Sequence, residues 1–303
     1  MGCYGYQRNT TPYLSSHIDE WLRFDAHYSV SAYSGPAYAS IVSGLWPWRH
    51  GTLHWEDVRY PTMIEMFKGA GYRTSYIGQV DPPFFAPFIG KFHEKRVGPP
   101  WEMTKWILDI VRNHKHGEEP HFIYALYIPC HMPYCFGTTP FAERPEGYRL
   151  VPDFASGKIR QMDFRFTFKE SFSDADLEYT AALYDKQVLE MDRYLEQIMG
   201  ALAETGLLNK SLVIFTSDHG ESLGEDGVYF WHGFSMRNSN IRVPLLVYRT
   251  GKTGAIPFTT RHIDLLPTLA NQIGVQLPYR PDGVDLHLVK EDLPAIALGN
   301  YFT

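Results

Sequence analysis

The residues best suited to chemistry fall in a few short segments. The sharpest is Thr216-Ser217-Asp218-His219-Gly220-Glu221-Ser222-Leu223-Gly224, directly after the apolar run Leu212-Val213-Ile214-Phe215. A carboxylate beside an imidazole at a strand end, with glycine letting the backbone turn, suits a divalent cation held against a substrate oxygen. Asp218 and His219 are the candidate metal ligands. The imidazole leans toward a borderline metal, whereas oxygen-only shells suit calcium or magnesium. Thirteen residues after His219 comes His232, in Trp231-His232-Gly233, and His131 stands just past the apolar run His121 to Ile128. Histidine titrates near neutrality, so either could donate to a developing oxyanion or protonate a leaving oxygen. Ser34 precedes Gly35-Pro36 and a small-residue helix start, where free backbone N–H groups and the positive dipole end favour an alkoxide or a bound anion. Taken singly, each histidine reads as a satisfied structural residue and Ser34 as a helix cap. A shared strand-end rim is what gives them weight together.

The elements that must position these residues alternate between strand-like and helical patterns, which predicts a mostly parallel sheet with helices on both faces. Strands are expected at Arg73 to Ile77, His121 to Ile128, Ser211 to Ser217 and Val243 to Tyr248, each short and rich in Ile, Val, Phe or Tyr. The clearest helix starts at Ser173, with Asp176 three residues on as its capping partner. Leu177, Ala181, Tyr184, Val188, Met191, Leu195, Ile198 and Leu202 then recur at helical steps, and Gly206 is placed to end the run. Shorter helices are expected at Met63 to Ala70, Trp101 to Asn113 and Ile263 to Ile273. The polar stretch Gly137 to Phe172 reads as a long excursion of the kind that forms lids. Sites in such sheets form at the carboxyl ends of strands, here near Ile128 and Ser217.

Composition narrows the function. Among 303 residues, 28 Lys and Arg against 34 Asp and Glu leave a net charge of −6, without the basic field that nucleic-acid binding needs. A small anionic substrate would require local positive charge or a metal. Cys3, Cys130 and Cys135 are too few for a disulfide framework, and no second Cys/His pair supports a metal clip around His131. No apolar run reaches a membrane span, and Met1-Gly2-Cys3-Tyr4-Gly5-Tyr6 lacks both an apolar signal core and the Ser or Thr that favours myristoylation. The compartment stays unassigned.

In order along the chain, these segments resemble the sulfatase family of the alkaline phosphatase superfamily. The resemblance runs through Cys3-Tyr4-Gly5-Tyr6 with Thr10-Thr11-Pro12, then Ser34 to Gly51, then Gly71-Tyr72-Arg73-Thr74. It continues with His131 and Pro133-Tyr134, the Ser173 helix, Ser217-Asp218-His219-Gly220-Glu221, Arg242-Val243-Pro244, Asp264-Leu265-Leu266-Pro267-Thr268 and Asp282-Gly283. It implies an α/β, alkaline-phosphatase-like three-layer sandwich in which 1–303 is one catalytic domain. By resemblance Ser34 takes the nucleophile position and forms a covalent intermediate. Asp218 and His219 take metal positions, His131 and His232 contact ester oxygens, and Gln79 and His50 fall in the substrate-binding places, His50 also closing the nucleophile motif. The implied cofactor is one divalent metal, calcium first, with manganese or zinc as alternatives.

Three departures shape the expectation. Tyr38 stands where formylglycine-forming members carry arginine, so formylglycine is not expected and a serine nucleophile fits phosphoryl transfer better than sulfate release. Gln79 replaces a lysine in the segment Gly78-Gln79-Val80-Asp81, and the lysine usual before the Arg-Val-Pro strand is also absent, with His232 close by. The family's first strand, ending in paired aspartates, and a small C-terminal region are not matched, which predicts a fragment of a longer product. The expected activity is metal-dependent hydrolysis of sulfate or phosphate esters. The alternatives are a phosphoethanolamine- or phosphoglycerol-type phosphotransferase or phosphodiesterase, and a truncated member that folds without turnover.

Overall fold

The computed structural model describes residues 1–54, 56, 58–80, 86–115, 117–134, 137–159, 172–233, 235–248 and 251–299. Its strands, in chain order, are Trp21–Tyr28 (β1), Arg73–Gly78 (β2), Glu94–Val97 (β3), His121–Leu126 (β4), Val213–Thr216 (β5), Ser222–Leu223 (β6), Tyr229–Trp231 (β7), Leu245–Tyr248 (β8) and Gly254–Arg261 (β9). They form a sheet of order β5-β8-β1-β9, a second of order β3-β2-β4, and a small β6-β7 pair. The second sheet is parallel throughout. In the first, β8 runs antiparallel to both β5 and β1, while β1 and β9 are parallel. β5 and β1 therefore point the same way and deliver their carboxyl ends to one edge.

Side-chain alternation along these strands builds a core on each face, as the two-residue repeat of a strand requires. Tyr76 and Leu245 enter one apolar cluster, shared with the helices Ser34–Ser43, Met63–Gly69 and Leu265–Gln272. Their neighbours Ile77 and Leu246 enter the other, shared with the helices Pro100–Asn113 and Asp174–Glu204. Helices on both faces of the strands give the three-layer α/β arrangement. Fully buried Phe24, Ile64, Ile77 and Leu245 each contribute roughly 1.5–3 kcal/mol by leaving water.

Local signals account for most of the helices. Ser173 and Asp176 cap reciprocally, the Ser173 hydroxyl accepting from the Asp176 N–H at 3.1 Å and the Asp176 carboxylate accepting from the Ser173 N–H at 3.0 Å. The helix ends at Glu204, and Gly206 follows with φ 70°. Midway, Asp192 accepts the N–H groups of Tyr13 and Leu14 at 2.7 and 3.0 Å, tying the N-terminal segment to the long helix. Of the Gly137 to Phe172 excursion, Leu150–Ala155 is a short helix whose Leu150 and Val151 are buried beside Leu177 and Leu183 of the long helix, so this part packs down. Residues 160–171 lie outside the described residues, as does Cys135.

β1, β3, β6, β7 and β9 are strands without a matching sequence expectation. In β1, Arg23, Asp25 and His27 interrupt the apolar pattern, and pairing on both sides by β8 and β9 overrides it. β9 begins at Gly254 and contains Pro257, a residue that edge strands tolerate.

Candidate active site

β1 exits through Ser29 and Ser31 into the helix Ser34–Ser43, whose first residue is Ser34. β5 exits into Asp218 and His219. The two turns are tied together: the Ser29 hydroxyl lies 2.6 Å from the Asp218 carbonyl, and the Asn240 carbonyl accepts from the Gly220 N–H at 2.7 Å. Gly220 must be glycine, because a Cβ there would stand 2.1 Å from the Ser239 carbonyl oxygen. The His262 ring, fully buried behind this turn, reaches the Ser217 carbonyl at 3.0 Å through Nε2. A carbonyl can only accept, so that nitrogen carries the hydrogen.

These constraints bring together side chains 185 residues apart in sequence: Ser34 Oγ lies 3.0 Å from His219 Nε2. His219 Nδ1 is 2.8 Å from the Gly220 carbonyl. Nδ1 is therefore the protonated nitrogen of the neutral ring, and Nε2 presents its lone pair to Ser34. The Ser34 hydroxyl has a single hydrogen, for which the Asp218 carboxylate competes with His219 Nε2, Oδ2 and Nε2 lying 3.3 Å apart. Burial pushes the Asp218 carboxyl up, but His219, the Ser34 hydroxyl and His232 outweigh it and leave it below its ordinary value. Burial likewise holds His219 below the usual imidazole range against the pull of Asp218. Tyr38, in the place of the motif arginine, hydrogen-bonds the Asp218 side chain, and burial raises its phenol far enough to keep it protonated.

The other two histidines stand beside this pair. The His232 ring lies 4.2 Å from that of His219 and 5.0 Å from that of His131, centroid to centroid. His131 is exposed, and its Nδ1 is 2.6 Å from the Met132 carbonyl. His232 is buried, with Nδ1 2.7 Å from Glu221 Oε2, and burial, then the neighbouring His131, push it down to about 3. Burial raises Glu221 to about 7.

Gln79 and His50 do different work from the rest. The Gln79 side-chain oxygen accepts from the Ile128 N–H at 2.8 Å, fixing the exit of β4 that leads to His131. His50 is fully buried with both nitrogens engaged, Nε2 to Ser40 Oγ at 2.9 Å and Nδ1 to the Thr52 N–H at 3.0 Å. Neither nitrogen is left for a substrate oxygen, so His50 supports the fold of its motif.

As a metal site, Asp218 and His219 fit by type: a buried carboxylate and an imidazole lone pair converge on a serine hydroxyl, a mixed oxygen and nitrogen set suited to a divalent cation. They are short in number. Among the described residues no group of three or more His, Cys, Asp or Glu side chains is gathered for a metal. Residues without an assigned role in the sequence are Glu221, Tyr134, Tyr38 as a partner of Asp218, and His262. Glu221 lies inside the most conspicuous motif, but nothing in its spacing shows that it meets His232.

A fold with helices on both faces of the strands, and a serine, a carboxylate and imidazoles at their carboxyl ends, defines an α/β enzyme-like domain. The Sulfatase family model matches residues 1–275, and the chain belongs to the sulfatase family. Arylsulfatase K of Xenopus laevis is 27% identical over 331 residues, covering 91% of this chain; the chain spans 60% of that relative's length. The phosphonate monoester hydrolase of Agrobacterium radiobacter superposes with a TM-score of 0.74 at 19% identity, over 95% of this chain and 73% of that one. The C-terminal periplasmic domain of EcEptC from Escherichia coli, solved in complex with zinc, superposes with a TM-score of 0.67 at 15% identity, over 96% and 83%. These likenesses show an alkaline-phosphatase-like fold. Among the described residues no helix is long and apolar enough to cross a membrane.

Proposed function

We propose that this domain hydrolyses small anionic sulfate or phosphate esters through a covalent intermediate on Ser34. The observation that carries the reading is the approach of the Ser34 hydroxyl to both His219 Nε2, at 3.0 Å, and the Asp218 carboxylate. Family membership supports the reaction class.

Asp218 and His219 would hold a divalent cation, which supplies Lewis acidity to the ester and to the serine hydroxyl. Sulfatases as a family generally use such a metal, and calcium, manganese and zinc are the candidates. Ser34 sits at the first turn of its helix, where N–H groups without intrahelical acceptors face a developing negative charge. Ser34 Oγ, its proton released to water, forms a bond to sulfur or phosphorus as the bond to the leaving oxygen breaks, and that oxygen takes the Nε2 proton of exposed His131 in its imidazolium form, whose Nδ1–H stays on the Met132 carbonyl. His232, held neutral by burial, accepts a hydrogen bond from the water that cleaves the intermediate. A serine rather than formylglycine nucleophile is supported by Tyr38, whose hydroxyl is engaged with Asp218. Gln79 acts through the loop it anchors.

The test is turnover of an aryl sulfate, a phosphate diester and a phosphonate ester with added calcium, manganese or zinc, for wild type and Ser34→Ala. Equal rates in the two proteins would overturn the nucleophile assignment. A second reading, transfer of a phospho-alcohol group to an acceptor, is favoured by the run Ser217 to Gly227 with His232 and by the likeness to EcEptC. Mass analysis of the product formed in the presence of an acceptor alcohol separates transfer from hydrolysis. A domain that folds without turnover would show no ester cleavage with any of the three metals.

A further inference from the structure

Glu221 is a buried carboxylate at the centre of the site for which the reaction above has no use. Its side chain is 5% exposed, and its two oxygens point to different segments: Oε2 to His232 Nδ1 at 2.7 Å, and Oε1 to the Tyr134 hydroxyl at 3.2 Å. Tyr134 is fully buried and lies three residues after His131. Glu221 thus joins the loop after β4, the turn after β5 and the end of β7 at a single group.

The surroundings make a carboxylate the unexpected choice. Met132, Tyr134, Tyr179, Phe230 and Trp231 form an apolar cluster here, in which an aliphatic side chain would pack without desolvating a charge. The position is also rigidly built. Gly220, one residue earlier, is closed in by the Ser239 carbonyl. Phe230, two residues before His232, is a buried aromatic residue at φ 52°, a region that non-glycine residues adopt only when the surroundings enforce it. Trp231 stacks on the His232 ring at 5.0 Å and 10°.

We propose that Glu221 is the positioning residue of this site: its carboxylate fixes the ring plane and the Nδ1–H tautomer of His232, so that Nε2 keeps its lone pair in a ring held beside that of His219, and it locks that ring to the loop carrying His131. The same pattern, an Nδ1–H directed to an oxygen, holds for His131 on the Met132 carbonyl and for His219 on the Gly220 carbonyl. Only His232 obtains it from a side chain, so only His232 can lose it by substitution. The kinetic consequence rests on the hydrolase reading; the tautomer does not.

The experiment uses the full chain labelled with 15N-histidine at pH 8, in wild type, Glu221→Gln, Glu221→Leu and Tyr134→Phe, with steady-state kinetics on the ester that wild type cleaves fastest. The expected wild-type His232 spectrum has Nδ1 protonated and Nε2 unprotonated, assigned by its loss in His232→Asn. Glu221→Leu is expected to mix the tautomers and lower kcat by about 10–100-fold, with KM within about threefold, the range typical of a lost orienting partner. Glu221→Gln, which keeps an acceptor, is expected to recover most of that loss, and Tyr134→Phe to cost less than Glu221→Leu. A wild-type His232 with the hydrogen on Nε2, or a Glu221→Leu protein with unchanged tautomer and kcat, overturns the proposal. Should Glu221→Leu not fold, a Glu221→Gln protein whose kcat falls more than tenfold overturns it equally. If wild type cleaves no ester, the hydrolase reading falls, and the tautomer measurement alone decides the role of Glu221.

Discussion

Two serine–histidine pairs hang from the same helix, and they run in opposite directions. Ser34 and His219 stand 3.0 Å apart; Ser40, further along the helix, and His50 stand 2.9 Å apart. Distance does not distinguish them. The second nitrogen of each ring does. His219 gives its Nδ1–H to the Gly220 carbonyl, so its Nε2 presents a lone pair to Ser34, one that accepts the hydroxyl hydrogen or, with a cation bound, holds the metal. His50 accepts the Thr52 N–H at Nδ1 and so donates from Nε2 to Ser40, which leaves that serine a passive acceptor. The first pair borders Asp218 and the exposed His131, and the second is sealed from solvent. A buried histidine beside a serine therefore becomes a candidate for chemistry only when its far nitrogen is satisfied by an acceptor.

The largest test of this contrast is a pair of serine deletions. Ser34→Ala is expected to lower ester turnover by about 10³-fold or more, as loss of a nucleophile does, while Ser40→Ala keeps kcat within about threefold. Loss of the Ser40 hydroxyl would instead appear in thermal unfolding, with Tm lower by a few degrees for roughly 1 kcal/mol. Asp218→Ala comes next: calorimetric titration with calcium, manganese or zinc should show saturable binding in wild type and none in the variant. Undiminished binding would remove Asp218 from the ligand set. His50→Leu should then destabilise without touching kcat, since it leaves the buried Thr52 N–H and Ser40 hydroxyl unpaired at roughly 1–3 kcal/mol.

The last effect is on pH. Burial lowers His50 from 6.5 to about 4 in the folded chain. The unfolded chain binds that proton first as pH falls, so the contribution of His50 to stability is complete above pH 6.5 and is lost as pH drops toward about 4. Denaturant titrations across that window should show a shallower loss of stability in His50→Gln than in wild type. A wild-type slope matched by the variant would mean that His50 is already charged in the folded state.

Much of the frame was legible along the chain because its signals are local. The Ser173–Asp176 cap, the stripe from Leu177 to Leu202 and Gly206 specify the long helix within a few residues of each end. The apolar runs at β2, β4, β5 and β8 needed no partner to be recognised. β1 was not legible, since Arg23 and Asp25 disguise it and its strand character comes from neighbours that are remote in sequence. Within the site, Ser34, Asp218, His219, His131 and His232 stood out by residue type and family pattern. Gln79 and His50 stood out in the same way, yet the first anchors Ile128 and the second Ser40.

By itself, the order of residues determined which groups could reach the carboxyl ends of strands, because strand direction and turn chemistry are set by short-range patterns. Tertiary structure alone decided what each of those groups could do there. Proton direction depends on the partner at the far side of a ring: Gly220 for His219, Thr52 for His50, Glu221 for His232. The His232 partner is supplied by a chain segment that meets it only when β6 pairs with β7, an encounter that no spacing rule encodes.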